Sequence, residues 1–241
     1  MFMNTRTSIS ADVMTVTVSQ PRFRMQAVTG SPYSADQVSQ HVQTLADGTH
    51  ITQPENTTKM SRDSEGRTRT ERTMGSGFQQ EQNGKFVLVE ILDPVGKAAY
   101  VLDQQNKVAH KFTMADPPER KAAVTASSAS AANKPVTEHS NENLGTKNIE
   151  GVIAEGTRFS NTIPIGAQGN DRPMVAVGET WYSQELKMAV LSTYSDPRNG
   201  ESTTKLVNIS RAEPDASLFA PPAGYSVVEE KDSAVISVKR Q

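Results

Sequence analysis

Lys85–Met114 reads KFVLVEILDPVGKAAYVLDQQNKVAHKFTM, three apolar runs separated by two polar turns. Each break has a chemical cause. In Asp93-Pro94-Val95-Gly96 the carboxylate caps nearby backbone N–H groups, Pro presets φ, and Gly supplies positive φ. Asp103-Gln104-Gln105-Asn106 repeats the device with Asp and Asn. The runs between the breaks, Lys85–Leu92, Ala98–Leu102 and Val108–Met114, have strand length. The stretch therefore reads as a three-strand antiparallel meander, with KFVLVEIL its most apolar member.

The same punctuation extends in both directions. Asp47-Gly48, Asp63-Ser64-Glu65-Gly66 and Asp196-Pro197-Arg198-Asn199-Gly200 are further turns. Val13–Val18 alternates and reads as a strand. Ser34–Thr44 fits a helix face through Val38, Val42 and Leu45, or a strand face through Val38, Gln40, Val42 and Thr44. The following Asp47-Gly48 favours a hairpin with Thr49–Thr52. Thr57–Ser61 and Arg67–Met74 flank the Asp63 turn. Beyond residue 144 come Asn148–Ala154, Gly156–Pro164, Pro173–Tyr182, Leu186–Ser195 and Ser202–Ser210 as strands. Pro214–Phe219 reads as one helical turn stopped by Pro221-Pro222, with Tyr225–Glu229 and Ala234–Val238 as closing or edge segments.

Between the halves, Ala115–Asn143 carries Pro117-Pro118, an Ala/Ser-rich run and Pro135, the composition of a loop or linker. The expectation is one β-dominated domain over residues 1–241, an antiparallel sheet of about ten strands. Its two meander halves, 1–114 and 144–241, are joined by the 115–143 segment.

Composition narrows the function classes. At 35% hydrophobic residues and a mean hydropathy of −0.53, the chain suits sheets with one wet face. A net charge of −2 and a pI near 6.1 argue against nucleic-acid binding by charge. Without cysteine there is no disulfide, Cys-ligated zinc or thiol catalysis. No stretch approaches the roughly 20 apolar residues of a membrane span, and Met1–Gln20 shows no apolar signal core.

Three segments carry a family resemblance: NIEGVIAEGTRFSNTIP (Asn148–Pro164), ETWYSQELKMAVLSTYSDPRNGESTTKLVNI (Glu179–Ile209) and PDASLFAPPAGYSV (Pro214–Val227). Their order of Gly-bearing strand, Trp-bearing strand, apolar strand, Asp-to-Gly turn and terminal LF-x-P-P-x-GY resembles the lipoprotein-carrier (LolA-like) and RseB-like superfamily. HVQTLADGTHITQ and SRDSEGRTRTE resemble a group of uncharacterised exported bacterial proteins. The resemblance implies a strongly curved half-barrel whose concave side takes a lipid or acyl chain, or a protein segment. It also implies a periplasmic or secreted location; with no cofactor motif in the sequence, no cofactor is expected. The chain departs from the carriers in having little helix to serve as a lid.

Candidate chemistry is sparse. His41, His50, His110 and His139 are dispersed, and zinc needs three or four converging ligands; no metal is assigned. Arg62, Arg67, Arg69 and Arg72 with Asp63, Glu65 and Glu71 read as an ion-paired edge hairpin, or as an anion contact. Gly166–Asp171 lacks the Lys and helix of a phosphate loop and reads as a hairpin connection. No nucleophile constellation is present, so no catalytic residue is assigned.

Trp181 and Tyr182 must face opposite sides of a strand. Trp181, with Val175 and Val177 on its face and Met188 and Val190 on the next strand, forms either core or a ligand-lining wall. The leading expectation is a non-enzymatic exported binding protein; the alternative is a structural module assembling through β edges.

Overall fold

The computed structural model describes residues 4–9, 13–19, 27–74, 86–114 and 138–239. Sixteen strands occur among them. The first half holds β1 (Asn4–Ile9), β2 (Val13–Ser19), β3 (Tyr33–Thr44), β4 (His50–Thr52), β5 (Asn56–Arg62) and β6 (Thr68–Met74). It continues with β7 (Phe86–Asp93), β8 (Ala98–Asp103) and β9 (Val108–Thr113). The second holds β10 (Glu138–Ile149), β11 (Val152–Ile163), β12 (Met174–Ser183), β13 (Met188–Asp196), β14 (Gly200–Ser210), β15 (Ser226–Glu230) and β16 (Ser233–Lys239). One 3₁₀ turn, Ala216–Phe219, follows Asp215, whose carboxylate accepts from Ser217 N–H at 2.8 Å.

The order β10-β11-β12-β13-β14-β3-β5-β6-β7-β8-β9-β15 makes one curved, unclosed sheet, with β4 appended to β3. Antiparallel pairing of β14 with β3 fuses the two halves of the chain. The exception to antiparallel order is β15, which runs parallel to β9. Register shifts at Asn143/Gly145, Trp181/Tyr182 and Val207/Ser210 bend the outer strands, as bulges do. A second sheet, β1-β2-β16, pairs strands from the two ends of the chain.

Strands β7–β9 are buried on both faces, which is why KFVLVEIL is almost continuously apolar. One face, through Phe86, Leu88, Val101 and Phe112, packs on Val16, Val18, Ala234 and Ile236 of the small sheet. The other, through Val89, Ile91, Leu102 and Ala109, packs on Phe219 of the 3₁₀ turn, with Leu218 and Tyr225 alongside. Each such large side chain contributes about 1.5–3 kcal/mol on burial. The small sheet and the 3₁₀ turn thus cover β7–β9 from its two sides.

A third cluster gathers Tyr33, Trp181, Leu186, Val190 and Leu206. Arg62 ties it down. Its guanidinium, 6% exposed, donates to Ser31 O at 3.0 and 2.8 Å and to Leu186 O, and lies 4.8 Å over the Tyr33 ring. Burial pushes its pKa down and that of Tyr33 up.

Several sequence boundaries move. β10 begins at Glu138, inside the stretch read as linker, while 115–137 lie outside the described residues. The break expected at Glu155 falls instead at Glu150-Gly151, both at positive φ, leaving β11 continuous. The β5–β6 hairpin is internal, because β6 pairs with β7.

Candidate functional site

The outer strands show how a chain this polar holds a sheet. On β11 and β12, Gly156 opposes Trp181 and Phe159 opposes Gly178. Three residues separate the two pairs along each strand, so they lie on opposite faces. A Cβ at Gly156 would meet Trp181 at 2.7 Å, and one at Gly178 would meet Phe159 at 2.2 Å. Each ring covers the bare backbone of its partner strand, which restores the packing a strand glycine forfeits. The bulge at Asn143/Gly145 brings Leu144 over Gly156, and Lys147 Nζ sits 5.5 Å from the Trp181 ring.

The register then defines two faces across β10, β11, β12, β13, β14 and β3. On one, Glu142, Arg158, Glu179, Thr193, Thr203 and Gln40 form a row. Beside it runs Ser140, Ser160, Val177, Ser195, Glu201 and Val42. On the other, Asn141, Phe159, Gly178, Tyr194, Ser202 and His41 form a row. Its neighbour is Asn143, Thr157, Thr180, Ser192, Thr204 and Ser39. Of these residues Gly178 alone is buried. This part of the sheet is a single layer, solvated on both faces. The expected single wet face is thus replaced by none at β7–β9 and two here.

The charged face holds a shallow groove of about 280 Å³, lined by Val177 and Glu179, by residues 193–195 and by residues 201–203. Arg158 spans its border, donating to Glu142 at 2.9 Å and to Glu179 at 3.0 and 2.8 Å. The bond to Glu179 pushes the Arg158 pKa up. At the end of β13, Arg198 donates through Nε and Nη2 to the two oxygens of Asp196, at 2.9 and 2.6 Å. That fork holds the Asp196 carboxyl at about 2. Hydroxyls and carboxylates can hydrogen-bond a ligand's backbone or cationic groups; they offer no apolar wall for an acyl chain.

The structure disperses the five residues singled out in the sequence. Val177 borders the groove. Trp181 (9% exposed) and Val190 lie in the third core cluster, with Met188 packed against it. Val175 is exposed, as is Tyr182 at 38%. Sequence reasoning missed Phe159 and Tyr194, whose rings lie 6.2 Å apart at 26°. The available signal was a glycine inside each of two adjacent strands, each requiring a large neighbour.

The remaining candidates resolve into local bonds. His41 Nδ1 meets Ser202 Oγ at 3.0 Å and His50 Nδ1 meets Thr44 Oγ1 at 3.1 Å. His110 Nδ1 meets Glu230 at 2.8 Å and His139 Nδ1 meets Asn161 at 2.5 Å. Among the described residues no three His, Asp or Glu gather as metal ligands, and no helix is long and apolar enough to cross a membrane. Arg67 pairs with Asp63 and Glu65, and Arg69 with Glu71, inside the hairpin. Gly166–Asn170 closes as a turn, Gly166 N–H donating to Asn170 O at 2.8 Å.

No protein-family model matches the sequence, and comparison with curated proteins gives no match. Among solved structures, the chain is similar to an uncharacterised conserved protein from Thermus thermophilus. The identity there is 10% and the TM-score 0.41, over 83% of this chain and 91% of that one. It is also similar to the Pseudomonas aeruginosa MucA/MucB complex structure, at 12% identity and TM-score 0.42, over 82% of this chain and 58% of that one. MucB solved alone gives 10% identity and TM-score 0.42, over 84% of this chain and 61% of that one. The chain thus spans 58–61% of the MucB chains it matches. The likeness is one of fold alone.

Proposed function

We propose that the chain is a non-enzymatic, exported envelope protein that receives an extended protein segment on the outer part of its sheet. The observation that carries this reading is the polar groove on a solvated single layer. The groove lies on β12–β14, with β11 between it and β10, whose pairing among the described strands is with β11 alone. An extended segment can add to such an edge through main-chain bonds, its side chains then lying beside the Glu142–Arg158 pair that leads to the groove. The bulge at Asn143/Gly145 interrupts that edge, which favours a short added segment over continuous sheet stacking.

A hydrophobic ligand has less support. The most apolar strands, β7–β9, are covered on one face by the small sheet and on the other by Phe219 and its neighbours, which leaves no open apolar surface there for an acyl chain. The envelope location rests on the sequence resemblance and the Thr/Ser/Asn-rich strands.

Native mass spectrometry of the protein purified from its own source tests the reading. A bound polypeptide released on activation is the expected result. A stoichiometric lipid adduct with no polypeptide would contradict it.

A further inference from the structure

The face opposite the groove differs from it in one respect that decides what it can hold. Its two neighbouring rows cross six strands without an aspartate, glutamate, lysine or arginine, whereas the groove face carries Glu142, Arg158, Glu179 and Glu201. The uncharged strip is bounded by Glu155, opposite Tyr182, and by the Asp196–Arg198 pair. Within it, Phe159 leans over Gly178 toward Tyr194, which is 36% exposed. A ladder of small hydroxyl side chains runs alongside, with Ser39 Oγ and Thr204 Oγ1 3.1 Å apart.

We propose that this strip binds a neutral, polyhydroxylated chain, a glycan without acidic groups. Two arguments lead there. The first is charge: a neutral ligand displaces water from this strip without desolvating an ionised group, and an ionic one finds no counter-charge. The second is area. Six strands about 4.8 Å apart and two rows about 7 Å apart cover roughly 200–300 Å². Standard protein interfaces bury about 800 Å² on each partner, so the strip fits a narrow linear ligand better than a folded one. A sugar ring lays its C–H face on the Phe159–Tyr194 pair, as apolar groups do on aromatic faces. Its hydroxyls, each donor and acceptor, match the Ser, Thr and Asn side chains, which are the same.

The test is native gel electrophoresis of the full chain in gels containing a neutral glucan (hydroxyethylcellulose), a neutral mannan or the acidic polygalacturonate. A proline-rich peptide, which also stacks on aromatics, is titrated in parallel. The expected result is retardation by one of the neutral polymers and not by the acidic one. Tyr194→Ala should weaken it at least tenfold and Thr180→Lys should abolish it. Gln105→Lys, which adds the same charge in the β8–β9 turn, should leave it unchanged. Circular dichroism confirms each fold; Tyr194 and Thr180 are surface positions, so both variants remain informative. Absence of retardation by both neutral polymers overturns the proposal. So does retardation that survives Thr180→Lys, or binding of the proline-rich peptide alone.

Discussion

A glycine inside a strand weakens it by roughly 0.5–1 kcal/mol relative to alanine, yet Gly156 and Gly178 cannot be improved. Alanine at Gly178 would place its Cβ 2.2 Å from Phe159 Cζ, so the ring must leave its seat. Gly178→Ala should therefore destabilise the fold by about 1–3 kcal/mol, read from urea unfolding; a gain in stability would show that the ring packs elsewhere. Trp181→Ala removes a largely buried indole from the third cluster and should cost about 3–5 kcal/mol. An indole emission maximum typical of free solvent in the native protein would contradict that placement.

Asp196 makes a pH-dependent contribution. Its folded pKa, about 2, lies below the ordinary value of 3.8. The stability it confers is thus present above the unfolded value and is lost as pH falls through the folded one. Unfolding midpoints should drop between about pH 4 and pH 2, and Asp196→Asn should flatten that part of the profile. An unchanged slope in the variant would remove Asp196 as a cause. At this scale the sequence was partly legible. It placed Trp181 and Tyr182 on opposite faces, but left the indole as core or wall, because which face is filled depends on Gly156 and Leu144 across the sheet.

At the scale of elements, the Asp-centred turns were legible because their geometry is local, although the positive φ expected at Gly96 falls instead on Lys97, at 49°. Asp93 Oδ1 accepts from Val95 and Gly96 N–H at 3.0 and 2.8 Å, and Asp103 Oδ1 from Gln105 and Asn106 N–H at 3.1 and 3.0 Å. The 3₁₀ turn after Asp215 was legible for the same reason. The start of β10 was not, since EHSNEN has loop composition and becomes a strand only by pairing with β11. Nor was the pairing of β2 with β16, strands from opposite ends of the chain. That pairing puts Ile236, fully buried, onto Phe86, Leu88 and Phe112. Ile236→Ala should cost about 2–5 kcal/mol, and hydrogen exchange should show the loss spreading into β7–β9. A loss confined to β16 would mean that the small sheet packs too loosely to support β7–β9.

For the whole molecule, the alternation of strand runs and turns was read correctly as β-dominated, but the average composition, read as suiting one wet face, concealed two regimes. The apolar residues are concentrated at β7–β9, covered above and below, and in the third cluster at one end of β11–β14, which leaves the remaining length of those strands without a core. That remainder is held by main-chain ladders, ring-on-glycine packing and a few ion pairs, and both its faces meet solvent. The most direct test uses the absence of cysteine in the chain. Thr157→Cys and Ser195→Cys place single thiols on opposite faces of the outer sheet, and Ala109→Cys places one in the core. In native buffer, both outer thiols should react with a bulky maleimide at rates near that of a free thiol, while Cys at 109 reacts only on unfolding. An outer thiol protected like the one at 109, on either face, would show that face packed and contradict the single solvated layer.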